Sequence, residues 1–194
     1  MSTQSERDIQ RFDKWASTYD RSILQRVFFA PIQARMLALC DSVASPPRNV
    51  LDIGCGTGRL LAAARLRWPL AQFTGVDPAP HMISAAQQLN PDTTFKLSMA
   101  EALPIPDNSV DMVLSSMSFH HWADHALAIS EIVRVLQPGG LFCLADHNAV
   151  LFNLLGERAK SKRQVAALFG AAGLSVVLQK PLWSRFVLIT VGRK

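Results

Sequence analysis

The residues best able to do chemistry lie in Leu51-Asp52-Ile53-Gly54-Cys55-Gly56-Thr57-Gly58. A short apolar run, read as a strand, ends at Ile53; three glycines follow at alternate positions, and Arg59-Leu60-Leu61-Ala62-Ala63-Ala64 opens a helix. Glycine has no Cβ, so it permits φ > 0 and lets a ligand lie against the backbone. The helix start adds unpaired N–H groups, so the unit is a ligand cradle. A dinucleotide fingerprint, G-x-G-x-x-G, would need a glycine where Arg59 stands. Asp52, two residues before the first glycine, would repel a pyrophosphate and suits a ligand carrying positive charge.

Two further features share the chemistry. Asp77 follows Gly58 by 19 positions, at the carboxyl end of the second strand. Doubly wound folds place an acid there to accept both ribose hydroxyls, although it could instead cap the next helix. His120 and His121 follow the fourth strand, and an imidazole with an ordinary pKa near 6.5 suits a general base. Adjacent residues point differently, so one of the two is expected to face the pocket. A metal set from His120, His121 and His125 lacks a cysteine or carboxylate partner, and no metal is expected.

The stretch from Leu51 to Gly58 resembles the first motif of class I S-adenosylmethionine-dependent methyltransferases, closest to the small-molecule type that includes the ubiquinone/menaquinone C-methyltransferases. The ligand's ammonium and sulfonium answer the charge of Asp52. The resemblance implies S-adenosyl-L-methionine as cofactor and S-adenosyl-L-homocysteine as product. It implies contacts from Asp52, Gly54, Cys55, Gly56, Gly58 and Asp77, with Pro78 and Met82 against adenine. Met99-Ala100-Glu101-Ala102-Leu103-Pro104 resembles the family's D-A-E-x-L-P segment, whose Asp accepts from the adenine amino group. Met99 replaces that Asp here, leaving recognition to the backbone around Ala100. Ser115 and Ser116, closing the fourth strand, complete the expected cofactor contacts. Tyr19, in Ala16-Ser17-Thr18-Tyr19-Asp20, matches a family tyrosine that approaches the methionine end. The run from Glu131 to Gly140 resembles E-x-x-R-V-L-x-P-G-G, a folding landmark.

The elements that must position these groups alternate in kind. Helical spacing of Ile9, Phe12 and Trp15 predicts a helix over 5–19, and a second spans 22–43, bent or broken at Pro31. Strands are expected at 49–53, 72–76, 93–98, 110–115 and 141–145, with helices at 58–67, 78–89, 124–136 and 161–172. Residues 137–140 read as a turn, and 174–180 with 186–191 as an antiparallel hairpin. The fold class is α/β, a doubly wound Rossmann-like seven-stranded sheet, mostly parallel, with helices on both faces. We expect one domain over 1–194, with a helical lid at 1–46 and the core at 47–194.

Composition narrows the function classes. With 49% hydrophobic and 18% charged residues the chain is globular rather than disordered. No run reaches the ~18 apolar residues of a membrane span, and a polar start without an apolar h-region suggests a cytoplasmic protein. Cys40, Cys55 and Cys143 are far apart and odd in number, against a disulfide framework. A net charge of +5 raises a nucleic-acid partner, but only Arg158, Lys160, Lys162 and Arg163 cluster. Nucleobase-holding, pyrimidine C5 and arsenic-methylating signatures are missing. The expectation is a small organic acceptor methylated on O, N or C. An RNA methyltransferase and a cofactor-binding regulatory protein without catalysis are the competing readings.

Overall fold

The computed structural model describes residues 4–19, 23, 25–149, 159–182 and 186–194. Helices α1 (Gln4–Tyr19) and α2 (Ala30–Asp41), the latter entered through a π-helical turn Gln25–Phe29, precede the sheet. The core runs β1 (Asn49–Ile53), α3 (Arg59–Arg67), β2 (Gln72–Asp77), α4 (Pro80–Leu89), β3 (Thr94–Leu97), β4 (Val110–Ser116), α5 (His125–Val135), β5 (Leu136–His147), α6 (Lys162–Ala171), β6 (Ser175–Leu182) and β7 (Val187–Arg193). The seven strands lie in the order β3-β2-β1-β4-β5-β7-β6. Strands β1 to β5 pair in parallel, while β7 runs antiparallel to β5 and β6. The chain reverses its winding direction between β1 and β4, and the carboxyl ends of those strands form the crevice where such sheets bind ligands.

Local chemistry explains the boundaries. Pro31 sits in the first turn of α2, so the bend expected there is the change from π to α winding. Asp124 caps α5, accepting from the N–H groups of Ala126 and Leu127. Ser161 and Gln164 form a reciprocal capping box on α6. Gly173 ends that helix region with φ +88°. The turn expected at 137–140 is instead a bulge within β5: Val110 pairs with Leu136 and Met112 with Leu141, so four residues loop out between adjacent pairings.

Side chains alternate across β1. Leu51 and Ile53 join an apolar layer with α5 and α6, whereas Val50 belongs to the opposite layer with α2 and α3. Asp52 shares Val50's face and therefore points toward the N-terminal helices. Cys40 and Cys143, distant in sequence, meet between α2 and β5 with their thiols 2.8 Å apart, both free and fully buried. Among the described residues, no helix is long and apolar enough to cross a membrane.

Candidate active site

Beyond Ile53 the chain turns at once, with φ of +70° at Gly54, +52° at Gly56 and +79° at Gly58. The N–H groups of Gly54 and Cys55 both donate to the Val76 carbonyl, at 2.9 and 3.0 Å, which pins the loop to the end of β2. A Cβ on Gly54 would lie 2.4 Å from Ser118, whose hydroxyl donates to the Ile53 carbonyl. A Cβ on Gly56 would meet none of the described residues within 4 Å, so a ligand can approach that backbone. Gly58 turns inward: it is the left-handed N-cap of α3, and a Cβ there would lie 2.7 Å from Asn90. It serves packing and does not line the cavity, contrary to the expected ligand contact.

A cavity of about 790 Å³, counted with its open mouth, lies above this loop. From the core it is walled by Gly54, Gly56, Asp77, Pro78, Met82, Met99, Ala100, Ser116, Trp122 and His121, and from α1 by Asp8, Ile9 and Phe12. Ile9 and Phe12 pack against Ala79 and Met82, which is why the apolar stripe seen in sequence exists. A neighbouring cavity of about 380 Å³ shares Gly54, Gly56 and Ser116 and adds Gln33, Asp52, Cys55, Thr57 and Arg59. Ser115 lines neither; it is fully buried, and its hydroxyl bonds to Ser118 at 2.8 Å. The described part of the chain includes the backbone of Tyr19 at the end of α1, but its side chain lies outside what the structure describes.

The two acids differ. Asp77 spends Oδ2 on the Gly56 N–H and Oδ1 on the Ala79 N–H, each at 2.9 Å. It thus braces the glycine loop and the start of α4, while each oxygen keeps a lone pair for a ligand hydroxyl. Burial pushes its pKa up to about 6 despite those two donors. Asp52 is 1% exposed, and neither carboxylate oxygen has a hydrogen-bond partner among the described residues. Burial, with the Asp77 charge added, lifts its pKa to about 8. A buried carboxyl left unsatisfied is costly, and beside an open cradle it fits a cationic ligand group. Cys55 carries no nucleophile: burial pushes its thiol well up, and Asp77 and Asp52 push it further.

The two adjacent histidines differ in surroundings, and one of them faces the cavity. His121 lines it, with Nδ1 2.9 Å from Asp8 Oδ2 and the Phe12 ring edge-on at 5.0 Å. Burial and the neighbouring His120 lower its pKa, partly offset by Asp8. His120 does not line the cavity. It is buried behind His121, with ring centroids 3.9 Å apart, and Asp146 holds both its N–H (2.9 Å) and its Nδ1 (2.7 Å). Burial raises the Asp146 carboxyl, but His120 and His147 together bring it below its ordinary value. His125 turns away to the Phe119 carbonyl, so the metal set weighed from sequence does not assemble. His120, Asp146 and His147 do offer donor atoms within 4.8 Å of one another. Asp146, however, already accepts from three N–H groups, including that of His147.

Sequence reasoning missed Asp8, Ser98 and Glu101 as parts of this wall, whereas Met117, Ser118 and Trp122 belong to the 116–122 loop expected at the ligand-binding edge of the sheet. Ser98 and Glu101 flank residues already singled out, and Asp8 stands one turn before Phe12 on the helix face that meets the cavity.

Residues 51–144 match a family described as a methyltransferase domain. An uncharacterised methyltransferase of Mycobacterium tuberculosis is 39% identical over 126 residues, covering 65% of this chain and 48% of that protein. A demethylmenaquinone methyltransferase of Thermus thermophilus is 34% identical, covering 66% of this chain and 60% of its relative. The chain thus spans about half to three fifths of these relatives' length. Among solved structures, a chain in the complex of the Haloferax volcanii Trm112 methyltransferase activator with a methyltransferase superposes with a TM-score of 0.80 at 25% identity, covering 94% of this chain and 96% of that one. Glycine loop, strand order and these likenesses agree: residues 51–144 match a methyltransferase domain, on a fold similar to that of the class I S-adenosylmethionine-dependent methyltransferases.

Proposed function

We propose that this protein transfers a methyl group from S-adenosyl-L-methionine to a small organic acceptor, releasing S-adenosyl-L-homocysteine. The observation that carries the reading is Asp52: a buried carboxylate with no partner among the described residues, at the foot of a glycine loop that leaves room for a ligand. The smaller cavity pairs this acid with Arg59, a complement to the ammonium and carboxylate of an amino acid. Asp77 would take the ribose hydroxyls, and Pro78, Met82 and Met99 would pack on adenine above the Ala100 backbone. The cofactor supplies an electrophilic methyl on a sulfonium when bound.

The protein's own part is alignment and proton handling. Holding two reactants in line can remove ~7–11 kcal/mol of barrier. His121, facing the cavity, would take a proton from a hydroxyl acceptor at Nε2, because Asp8 occupies the Nδ1 side. Its lowered pKa keeps the imidazole unprotonated at neutral pH. His120, clamped by Asp146, backs that ring. An apolar wall of Met117 and Trp122 suits an aromatic or acyl acceptor. Relatives named demethylmenaquinone methyltransferase and malonyl-[acyl-carrier protein] O-methyltransferase lie in that range. The lid at 1–46 over a core at 47–194 belongs to the same proposal, since α1 closes one side of the cavity.

Calorimetric titration with S-adenosylhomocysteine, S-adenosylmethionine and NADH tests the cofactor; saturation by NADH alone would sink the reading. Product release against a library of quinols, phenols and acyl thioesters then separates an enzyme from a regulatory binder. For the RNA alternative, steep salt dependence of RNA binding is the diagnostic.

A further inference from the structure

We infer that Asp8, carried on helix α1, is a positioning residue for His121, so that the base is complete only while α1 lies across the cavity. The inference rests on the proposed role of His121 and adds the group that orients it. The two residues are 113 positions apart, so their contact exists only through the docking of α1. The Asp8 and His121 side chains are 10% and 22% exposed, and their atoms are 2.9 Å apart. A carboxylate facing Nδ1 draws the imidazole proton there and leaves Nε2 bare. Phe12, one turn along the same helix, packs edge-on against the ring and limits its rotation.

The docking is fastened at a second point on the same helix. Asp13 accepts from the His81 N–H at 2.8 Å and lies 2.7 Å from its Nδ1, at the start of α4. Between these two contacts, Ile9 and Phe12 bury against Ala79 and Met82. Helix α1 therefore reaches the adenosine wall and the histidine in one rigid piece. A ligand packed under Ile9 and Phe12 would hold α1 in place and, through Asp8, hold the base in its working tautomer. Proton acceptance would thereby be tied to cofactor occupancy. The charged and titratable groups facing His121 are Asp8, itself paired with Arg11, together with His120 and Asp146; Glu101 lines the same cavity.

Long-range nitrogen NMR of the histidine rings, in protein saturated with S-adenosylhomocysteine, tests this without any acceptor. Neutral His121 is expected with its proton on Nδ1. In Asp8→Ala the proton should redistribute to Nε2, the form free imidazoles favour. In Asp8→Asn the His121 titration should move to lower pH, because a charge that raises its pKa is gone. Asp8→Glu should restore the wild-type titration in part. A wild-type proton on Nε2, or an unmoved titration in Asp8→Asn, overturns the inference. If S-adenosylhomocysteine does not bind at all, the cofactor reading fails, and the ligand-free spectra decide on Asp8 by the same two criteria.

Discussion

Replacing Asp52 by asparagine should make the ligand-free protein more stable at neutral pH while weakening its hold on the cofactor. The carboxyl is 1% exposed without a partner among the described residues, and burial raises its pKa from 3.8 to about 8. The native state therefore binds a proton more tightly than the unfolded chain between those values. Stability is fully present below about pH 3.8 and is lost progressively as pH rises toward 8. At pH 7 the gap from the unfolded pKa is about 3 units, each worth ~1.4 kcal/mol, so the ionisation term costs ~4 kcal/mol. Asparagine keeps the shape and removes that term, although its amide stays unsatisfied much as the protonated acid is. For a chain of this size the gain amounts to about 10 °C in Tm at pH 7, shrinking toward zero near pH 4. Thermal unfolding of both proteins from pH 4 to 8 is the assay. A second arm uses S-adenosylhomocysteine: its ammonium should favour ionised Asp52, releasing up to about one proton on binding. Calorimetry at pH 7 in buffers of different ionisation enthalpy reads that proton, and Asp52→Asn should release none and bind about 10- to 100-fold more weakly. Equal Tm values with parallel pH slopes would refute the argument, as would a binding heat in wild type that ignores the buffer.

Other consequences follow from single contacts. Gly54→Ala should lose most cofactor binding in calorimetry, because φ +70° and a Cβ 2.4 Å from Ser118 both oppose it; a variant binding within twofold of wild type would contradict the cradle. Met99→Asp should tighten S-adenosylhomocysteine binding several-fold by restoring an acceptor beside Ala100, at a site 38% exposed where a carboxylate stays solvated; unchanged or lower affinity would remove Met99 from the adenine wall. His121→Ala should lower turnover of a hydroxyl acceptor about 100-fold with cofactor saturating. His120→Ala should instead lower Tm by several degrees, since it strands buried Asp146 without its ring partner. Equal kinetic losses with unchanged Tm would reverse those assignments.

Much of the fold was legible because its signals are local. Strand–glycine–helix order, the helix starts near 124 and 161, and the closing hairpin all read correctly within a few residues. The 137–140 segment misled because Pro138-Gly139-Gly140 has turn chemistry; here that chemistry bends a strand without ending it, as the pairings on either side continue. Within the site, Gly58 and Ser115 sit at the right place in the sequence yet face inward. Alternation along β4 and the packing of Asn90 and Phe95 on the loop decide that, and neither is visible in a motif.

What the sequence by itself determined was the cradle: an acid, three glycines and a second acid at a fixed interval, on elements whose periodicity dictates a wound parallel sheet. Those properties depend on neighbours a few positions away, so the order of residues specifies them. What only the tertiary structure decided was partnership. Asp52 meets no donor among the described residues, His120 is taken by Asp146, and His121 meets Asp8 across 113 residues. Charge, burial and tautomer are set by groups brought together through packing of helix α1 and the sheet edge, and long-range packing leaves no local trace in the chain.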